Sequence, residues 1–153
     1  MSQKAYEIKF VGIELLSKAI SDPPDPLKQT AYFSFNFLVD IKLDPPNKNA
    51  GVLTTVDILY IKESGEKNNA ANFKILCVFE LPDFDAVFTK TDNNKYDIPI
   101  DMEILLKSAG LSTIRGIIYS EVRGTYLHAA ILPLIDINEL VRDQHVQKEQ
   151  NSS

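Results

Sequence analysis

The chain has 153 residues, which fits one domain with a hydrophobic core of its own. Its formal charge of −5, from 16 basic and 21 acidic residues without a basic cluster, argues against a nucleic-acid partner. Cys77 is the only cysteine, so an internal disulfide is excluded and a reducing compartment is expected. Because no apolar run reaches the ~20 residues of a membrane helix and Met1 to Ala5 do not resemble a signal peptide, we expect a cytoplasmic protein without membrane insertion.

Residues 5–16 predict the first strand of a sheet. Apolar side chains alternate as far as Phe10, and the alternation shifts by one position after Gly12. A shift beside a glycine indicates a β-bulge, and a strand with two apolar faces is the alternative. Three prolines within residues 21–28 then predict a stiff crossover, so the first two strands need not be neighbours.

The clearest strand pattern covers residues 31–43. Apolar side chains occupy every second position, which is a period of two over about 40 Å of strand. One face of this strand carries Phe33, Phe35, Phe37, Val39, Ile41 and Leu43. The row either belongs to the core, or its first part overhangs the sheet and lines a binding groove.

Two further strands are predicted at residues 51–61 and 73–81, after polar turns. Four strands connected in this way indicate an antiparallel sheet with one face to cover. Residues 82–97 predict a polar link, in which Phe84 and Phe88 require a buried position.

Helical periodicity follows the strands. Residues 100–109 predict a short helix that ends at Gly110, and the apolar spacing from Leu111 to Val122 predicts a long helix that ends at Gly124. Strands followed by helices indicate an α+β fold, with a four-stranded antiparallel sheet and helices on one side.

An apolar connector over residues 126–134 separates the long helix from a C-terminal helix. Asp136 and Glu139 have the spacing of a capping box at the start of that helix. Residues 144–153 are polar and predict a flexible tail. We therefore expect a single domain over residues 1–153.

Three short motifs in the last third of the chain resemble the bacterial SecB export chaperones. They are Arg123-Gly124-Thr125-Tyr126, Ile131-Leu132-Pro133 and Asp136-Ile137-Asn138-Glu139-Leu140. In SecB proteins the long helix ends in Arg-Gly-Thr-Phe, and a Leu-x-Pro-Val-Asn-Phe-Asp-x-Leu run enters the last helix. Here Tyr126 replaces the phenylalanine, Asp136 replaces the capping asparagine, and one additional residue follows Pro133. The resemblance extends over most of the chain, because four long strands precede the helices in both.

This resemblance implies an ATP-independent holdase, a chaperone that binds unfolded polypeptides in an apolar groove without a cofactor. SecB subunits pair through their first strands, and two dimers stack through their long helices, so a homotetramer is expected. The side chains that the resemblance assigns to the groove are Phe35, Phe37, Val39, Ile41, Leu43, Phe84, Tyr126 and Ile131.

The docking surface for the SecA motor is where the sequence departs from SecB. Acidic residues on the first and fourth strands hold SecA in that family. The corresponding positions here are Leu15, Ala19 and Cys77, which carry no charge and put SecA docking in doubt.

No catalytic motif occurs in the sequence. His128 and His145 are the only histidines, no Cys or His pair has the spacing of metal ligands, and no glycine-rich phosphate loop is present, so we do not expect an enzyme or a metal site. Three functions remain open: a holdase with a role in protein export, a dedicated SecB-like chaperone of one client such as an antitoxin, and a small apolar-ligand-binding protein of hotdog-like type.

Overall fold

The computed structural model describes residues 6–22 and 32–152. Within them, four long strands form one antiparallel sheet: β1 (Lys9–Ile20), β2 (Tyr32–Asp44), β3 (Asn49–Ile61) and β4 (Lys67–Glu80). The strand order β1-β4-β3-β2 places β1 and β2 at opposite edges of the sheet. The predicted separation of the first two strands is therefore confirmed, although residues 23–28 of the proline crossover lie outside the described residues.

The rest of the described chain supplies the layer that covers the sheet. It contains α1 (Phe84–Val87), a small hairpin of β5 (Thr89–Lys90) and β6 (Tyr96–Asp97), the long α2 (Ile100–Glu121) and α3 (Ile137–Asn151). The predicted α+β architecture is confirmed. None of these helices is long and apolar enough to cross a membrane.

The first strand lies four residues later than predicted, since the sequence pattern placed it at residues 5–16 and β1 spans Lys9–Ile20. The register against β4 shifts between Phe10 and Gly12, where the sequence predicts a bulge. A second shift lies between Leu15 and Ser17. Each bulge adds one residue to β1 without a partner on β4, which increases the local twist of this edge strand.

Gly110 does not end a helix, so the prediction of two separate helices over residues 100–122 was wrong. The helix α2 is continuous, and Gly110 is buried where it crosses β3. A Cβ atom at Gly110 would lie 2.7 Å from Cγ1 and 3.2 Å from Cβ of Val52. The missing side chain is therefore needed for the helix to approach the sheet closely. Gly116, on the same helix, has open space around it.

The helix α2 packs on β3, β2 and β4, and its last turn reaches β1 through an ion pair of Glu121 with Lys18 (2.7 Å). It ends at Glu121, three residues before Gly124, whose φ of +77° forms the turn that follows. Arg115 then holds the connector against the helix, because its Nε and Nη2 atoms donate to the carbonyls of Leu132 (3.1 Å) and Pro133 (3.2 Å).

The capping interaction predicted at the start of the last helix is present, since the Asp136 carboxylate accepts the amide proton of Glu139 (3.2 Å). Ile137 and Val141 are buried against the rest of the protein. The residues that the sequence predicts as a flexible tail continue α3 in helical form as far as Asn151.

A charged cluster joins the second half of α3 to the first half of α2. Glu103 accepts one hydrogen bond from the Lys107 ammonium (2.8 Å) and lies 2.9 Å from Nε2 of His145. Lys107 is only 6% exposed, so its hydrogen bond to Glu103 replaces contacts with water that burial removes. Burial alone raises the pKa of Glu103, but the hydrogen bonds and positive charges of Lys107 and His145 outweigh it and leave the pKa below its ordinary value.

We predict that Glu103→Gln destabilises the protein by about 2 kcal/mol at neutral pH, because it leaves the buried Lys107 without a carboxylate. Since the folded pKa of Glu103 lies below its unfolded value, the stabilisation is complete above the ordinary pKa of glutamate. It disappears as the pH falls through the folded pKa. Denaturant unfolding of both proteins at neutral and strongly acidic pH measures the difference.

The matched control is Glu149→Gln, which changes the same group on the exposed face of α3. Its unfolding free energy should equal that of the unchanged protein at both pH values. A Glu103→Gln protein that is as stable at neutral pH as the control would contradict this account of how α3 is attached.

Candidate functional site

The inner face of β2 carries the apolar row that the sequence analysis singled out. Phe35 lies opposite Ile58 and Ile41 lies opposite Val52, so the row continues the core of the sheet. Among the described strands, β2 has β3 as its one neighbour, so these side chains have a neighbouring strand on one side only. Val39 is buried, and the other members of the row are half-buried: Phe33, Phe35, Phe37, Ile41 and Leu43. The row therefore packs on the core and also reaches the surface.

An open cleft of about 660 Å³ runs beside the middle of β2. One wall is the strand itself, from Leu38 to Ile41. The opposite walls are β6 with the residue after it, the first turns of α2, and the second half of α3. The apolar residues that line the cleft are Leu38, Val39, Ile41, Tyr96 and Ile98. A volume in this range is typical of ligand sites in proteins.

The polar lining of the cleft contains groups of both charges. Three carboxylates, of Asp40, Asp97 and Glu103, face two lysines and one histidine. The amide side chains of Gln144, Gln147 and Asn151 also line it, and each can both donate and accept hydrogen bonds. The cleft therefore does not select a strongly charged ligand, but it offers hydrogen-bonding groups to a neutral polar one.

Phe84 is fully buried and has no exposed surface in the single chain. Its ring contacts the rings of Phe88 (centroids 4.7 Å apart) and Tyr96 (5.9 Å). Since Tyr96 lines the cleft, Phe84 supports the wall of the cleft from behind. The predicted groove residue thus lies next to the site but behind its surface.

Tyr126 and Ile131 lie on the connector, away from the middle of β2. The Tyr126 hydroxyl donates to the carbonyl of Ser21 (2.6 Å), which directly follows β1. Burial, and then the negative charge of Asp22, raise the pKa of this hydroxyl. Ile131 is 57% exposed. Of the eight predicted groove residues, Val39 and Ile41 line the large cleft, and the others flank it, support it or lie on the connector.

Sequence reasoning missed the wall that α3 contributes. The helical spacing from Ile137 through Val141 to His145 continues the buried face of α3 into the segment predicted as a tail. Extending the period of 3.6 beyond Val141 could have found it. It also missed Tyr96 and Ile98, whose alternation within the polar link is the signal of a short strand.

A second apolar surface lies on β1, at the other edge of the sheet. Phe10, Ile13 and Leu15 share the face of the β4 core residues opposite them, yet each is at least 40% exposed. Val11 and Leu16, at the two bulges, are also exposed. The edge of β1 therefore presents apolar side chains on both sides and a row of backbone groups that lack a neighbouring strand among the described residues.

The described residues contain no group of three or more His, Cys, Asp or Glu side chains placed to hold a metal ion. Cys77 lies in the core with no exposed surface, and burial raises the pKa of its thiol. A buried thiol with a raised pKa is a poor nucleophile.

Comparison with known proteins gives a structural match and no sequence match. No protein-family model matches this chain, and no curated protein sequence matches it. Among solved structures, it is similar to the SecB-like chaperone Rv1957 of Mycobacterium tuberculosis, solved in complex with a ChAD peptide from the HigA1 antitoxin. The match has a TM-score of 0.54 and 17% sequence identity, and it covers 84% of this chain and 88% of the other.

The match spans most of both chains, and the motifs from Arg123 to Leu140 indicate the same fold independently of it. The chain therefore has a SecB-like fold.

Proposed function

We propose that this protein is an ATP-independent chaperone that holds extended segments of non-native polypeptides along β2 and in the cleft beside it. The observation that carries the proposal is the half-buried aromatic and aliphatic row on an edge strand that borders an open cleft. The similarity to a SecB-like chaperone solved with a bound peptide supports it.

A site for many polypeptides relies on few directional interactions, because its ligands differ from one another in sequence. Burial of apolar surface stabilises a complex by about 25 cal/mol per Å² and requires no particular direction. The ring edges of Phe35 and Phe37 and the aliphatic groups of Ile41 can therefore pack against side chains of many shapes. No covalent step and no cofactor is required, and a client leaves when it folds or when a partner protein accepts it.

A dedicated chaperone for one client is the second candidate. It is favoured by the complex of the structurally similar mycobacterial protein, whose bound peptide comes from an antitoxin. The same site on this chain would serve a single client if the cleft matched one segment better than others.

Two other expectations from the sequence receive less support. A small apolar ligand requires an enclosed apolar site, whereas most residues that line the cleft are polar or charged. Docking of the SecA motor would use Leu15, Ala19 and Cys77, and Cys77 is buried in the core. We therefore propose a cytoplasmic holdase without assigning it to export.

We also propose that two copies of the chain pair through their β1 strands. Pairing would give the exposed backbone edge of β1 a hydrogen-bonded neighbour and would cover Phe10, Ile13 and Leu15. Two such dimers can then associate through α2, as in SecB proteins, to form a tetramer.

The client site is tested by Ile41→Asn and, separately, Leu38→Asn, both in the cleft. We expect Ile41→Asn to weaken the binding of reduced, carboxymethylated α-lactalbumin, a permanently unfolded protein, by about tenfold or more, since burial of an isoleucine contributes about 1.5–3 kcal/mol. Leu38 is already 61% exposed, so its replacement should weaken binding without affecting the fold. Fluorescence anisotropy of the labelled client measures both affinities.

Val146→Asn is the control, because Val146 is 52% exposed on α3 but does not line the cleft. Its affinity for the client should equal that of the unchanged protein. Equal affinities for all four proteins would exclude the cleft beside β2 as the client site.

The pairing of β1 is tested by the double change Ile13→Lys and Leu15→Lys. We expect the unchanged protein to form dimers or tetramers of the 17.2 kDa chain, and the variant to have at most half the mass of the unchanged protein, because charges on both copies would face each other across the new interface. Light scattering after gel filtration measures the mass. Leu38→Lys, on the opposite edge, should keep the larger mass, and an unchanged mass for the β1 variant would refute pairing through this strand.

A further inference from the structure

The hydrogen bonds at the start of β3 determine which backbone groups of β2 face away from the sheet. The Leu81 amide donates to the carbonyl of Lys48 (2.9 Å). In an antiparallel ladder, opposed pairs that exchange hydrogen bonds alternate with pairs that do not. The bond between Leu81 and Lys48 therefore means that the neighbouring pair, Asn49 with Glu80, is not hydrogen-bonded. The backbone groups of Asn49 therefore point away from β4 and towards β2.

The alternation continues along β2, because β2 and β3 pair without a register shift. Asp44 lies opposite Asn49, and its amide and carbonyl groups are hydrogen-bonded to β3. Every second residue before it, including Asp40 and Leu38, is bonded to β3 in the same way. The residues between them, including Val39 and Ile41, direct their amide and carbonyl groups away from β3, at the edge of the strand that borders the cleft. Among the described strands, β2 has no partner other than β3.

The cleft thus combines three features beside one strand edge. It contains outward-facing backbone donors and acceptors from Val39 and Ile41, amide side chains from α3, and a charged lining that is close to neutral. A stretch of four residues in extended form is about 13 Å long, which matches the length of β2 from Leu38 to Ile41. The natural ligand for such an edge is another extended backbone.

We propose that an extended segment of the client joins this sheet as an added strand along the free edge of β2, with hydrogen bonds to the backbone of Val39 and Ile41. This inference rests on the proposed chaperone function and specifies how the client is held. The backbone hydrogen bonds are common to all sequences, so they provide affinity without requiring a particular sequence.

The two faces of the added strand meet different surroundings. On the inner face, its side chains would lie beside Val39, Ile41 and Ile98, which favours apolar residues at alternate positions. On the outer face they would lie beside the exposed Leu38 and the charged Asp40, at a surface open to water where polar residues are tolerated. The preferred segment therefore alternates between apolar and polar residues and has little net charge.

The test is residue-by-residue amide hydrogen exchange, read by NMR on the full chain with and without a peptide. The probe is a blocked peptide of about twelve residues that alternates leucine or valine with serine or threonine. We expect the Val39 and Ile41 amides to exchange rapidly in the free protein and to slow by at least about tenfold with saturating peptide. The Leu38 and Asp40 amides, already bonded to β3, are the internal controls and should be slow in both states.

The outcomes separate this inference from the proposed function. If the peptide binds by calorimetry but the Val39 and Ile41 amides stay unprotected, the added strand is refuted and the chaperone function survives. If neither the peptide nor unfolded α-lactalbumin binds, both fail. If the two amides are already slow in the free protein, a second copy or another segment of the chain occupies the edge, and the inference is overturned.

Replacing peptide amides one at a time by N-methyl amides gives a second readout that leaves the protein unchanged. An added strand requires the loss of affinity to alternate along the peptide, because only every second amide faces β2. A loss that does not alternate would show that side-chain burial alone holds the peptide, and would overturn the inference.

Discussion

The close approach of α2 to the middle of the sheet determines what the remaining surfaces can do. Gly110 lies against Val52 on β3, a central strand, and a methyl group in its place would not fit without movement. With the helix seated there, its apolar face covers β3 and the nearer parts of β2 and β4. Among the described residues, both edge strands keep apolar side chains that are exposed or half-buried. The position of the helix over β3 thus leaves the two edges of the sheet less covered than its middle.

The two edges have different surroundings, which is why we assign them different roles. Along β1 the apolar side chains of Phe10, Ile13 and Leu15 are exposed, which suits a contact with a second copy. Along β2 the helix α3 and the β5–β6 hairpin stand opposite the strand and create a cleft. The cluster of Glu103, Lys107 and His145 holds the far half of α3 in that position. An electrostatic contact outside the sheet therefore maintains one wall of the proposed client site.

Strand and helix types could be predicted from the sequence because the local periodicities are strong. The alternation around Phe35 and Ile41 identified β2 and its inner face, and the shift after Gly12 identified the first bulge of β1. The SecB-like fold was indicated only through the resemblance of the motif ending in Leu140 to that family. These features depend on neighbours in the chain, and a single sequence contains that information.

Features that depend on contacts between distant residues were not predictable in the same way. Glycine commonly ends helices, so Gly110 was read as a stop, whereas its actual role is set by Val52, more than fifty residues earlier. Phe84 was assigned to the groove, whereas it is buried against the rings of Phe88 and Tyr96. The helical spacing beyond Val141 could have extended α3 to His145, but the contact of His145 with Glu103, 42 residues earlier, has no local signal.

The central claim is that this chain binds non-native polypeptide without nucleotide. The most direct measurement is the light scattered by chemically denatured citrate synthase when it is diluted into buffer that contains the protein but no ATP. The account predicts that scattering falls in proportion to the protein added, and that ATP does not change the result. Equal scattering with this protein and with the same concentration of serum albumin would contradict the claim.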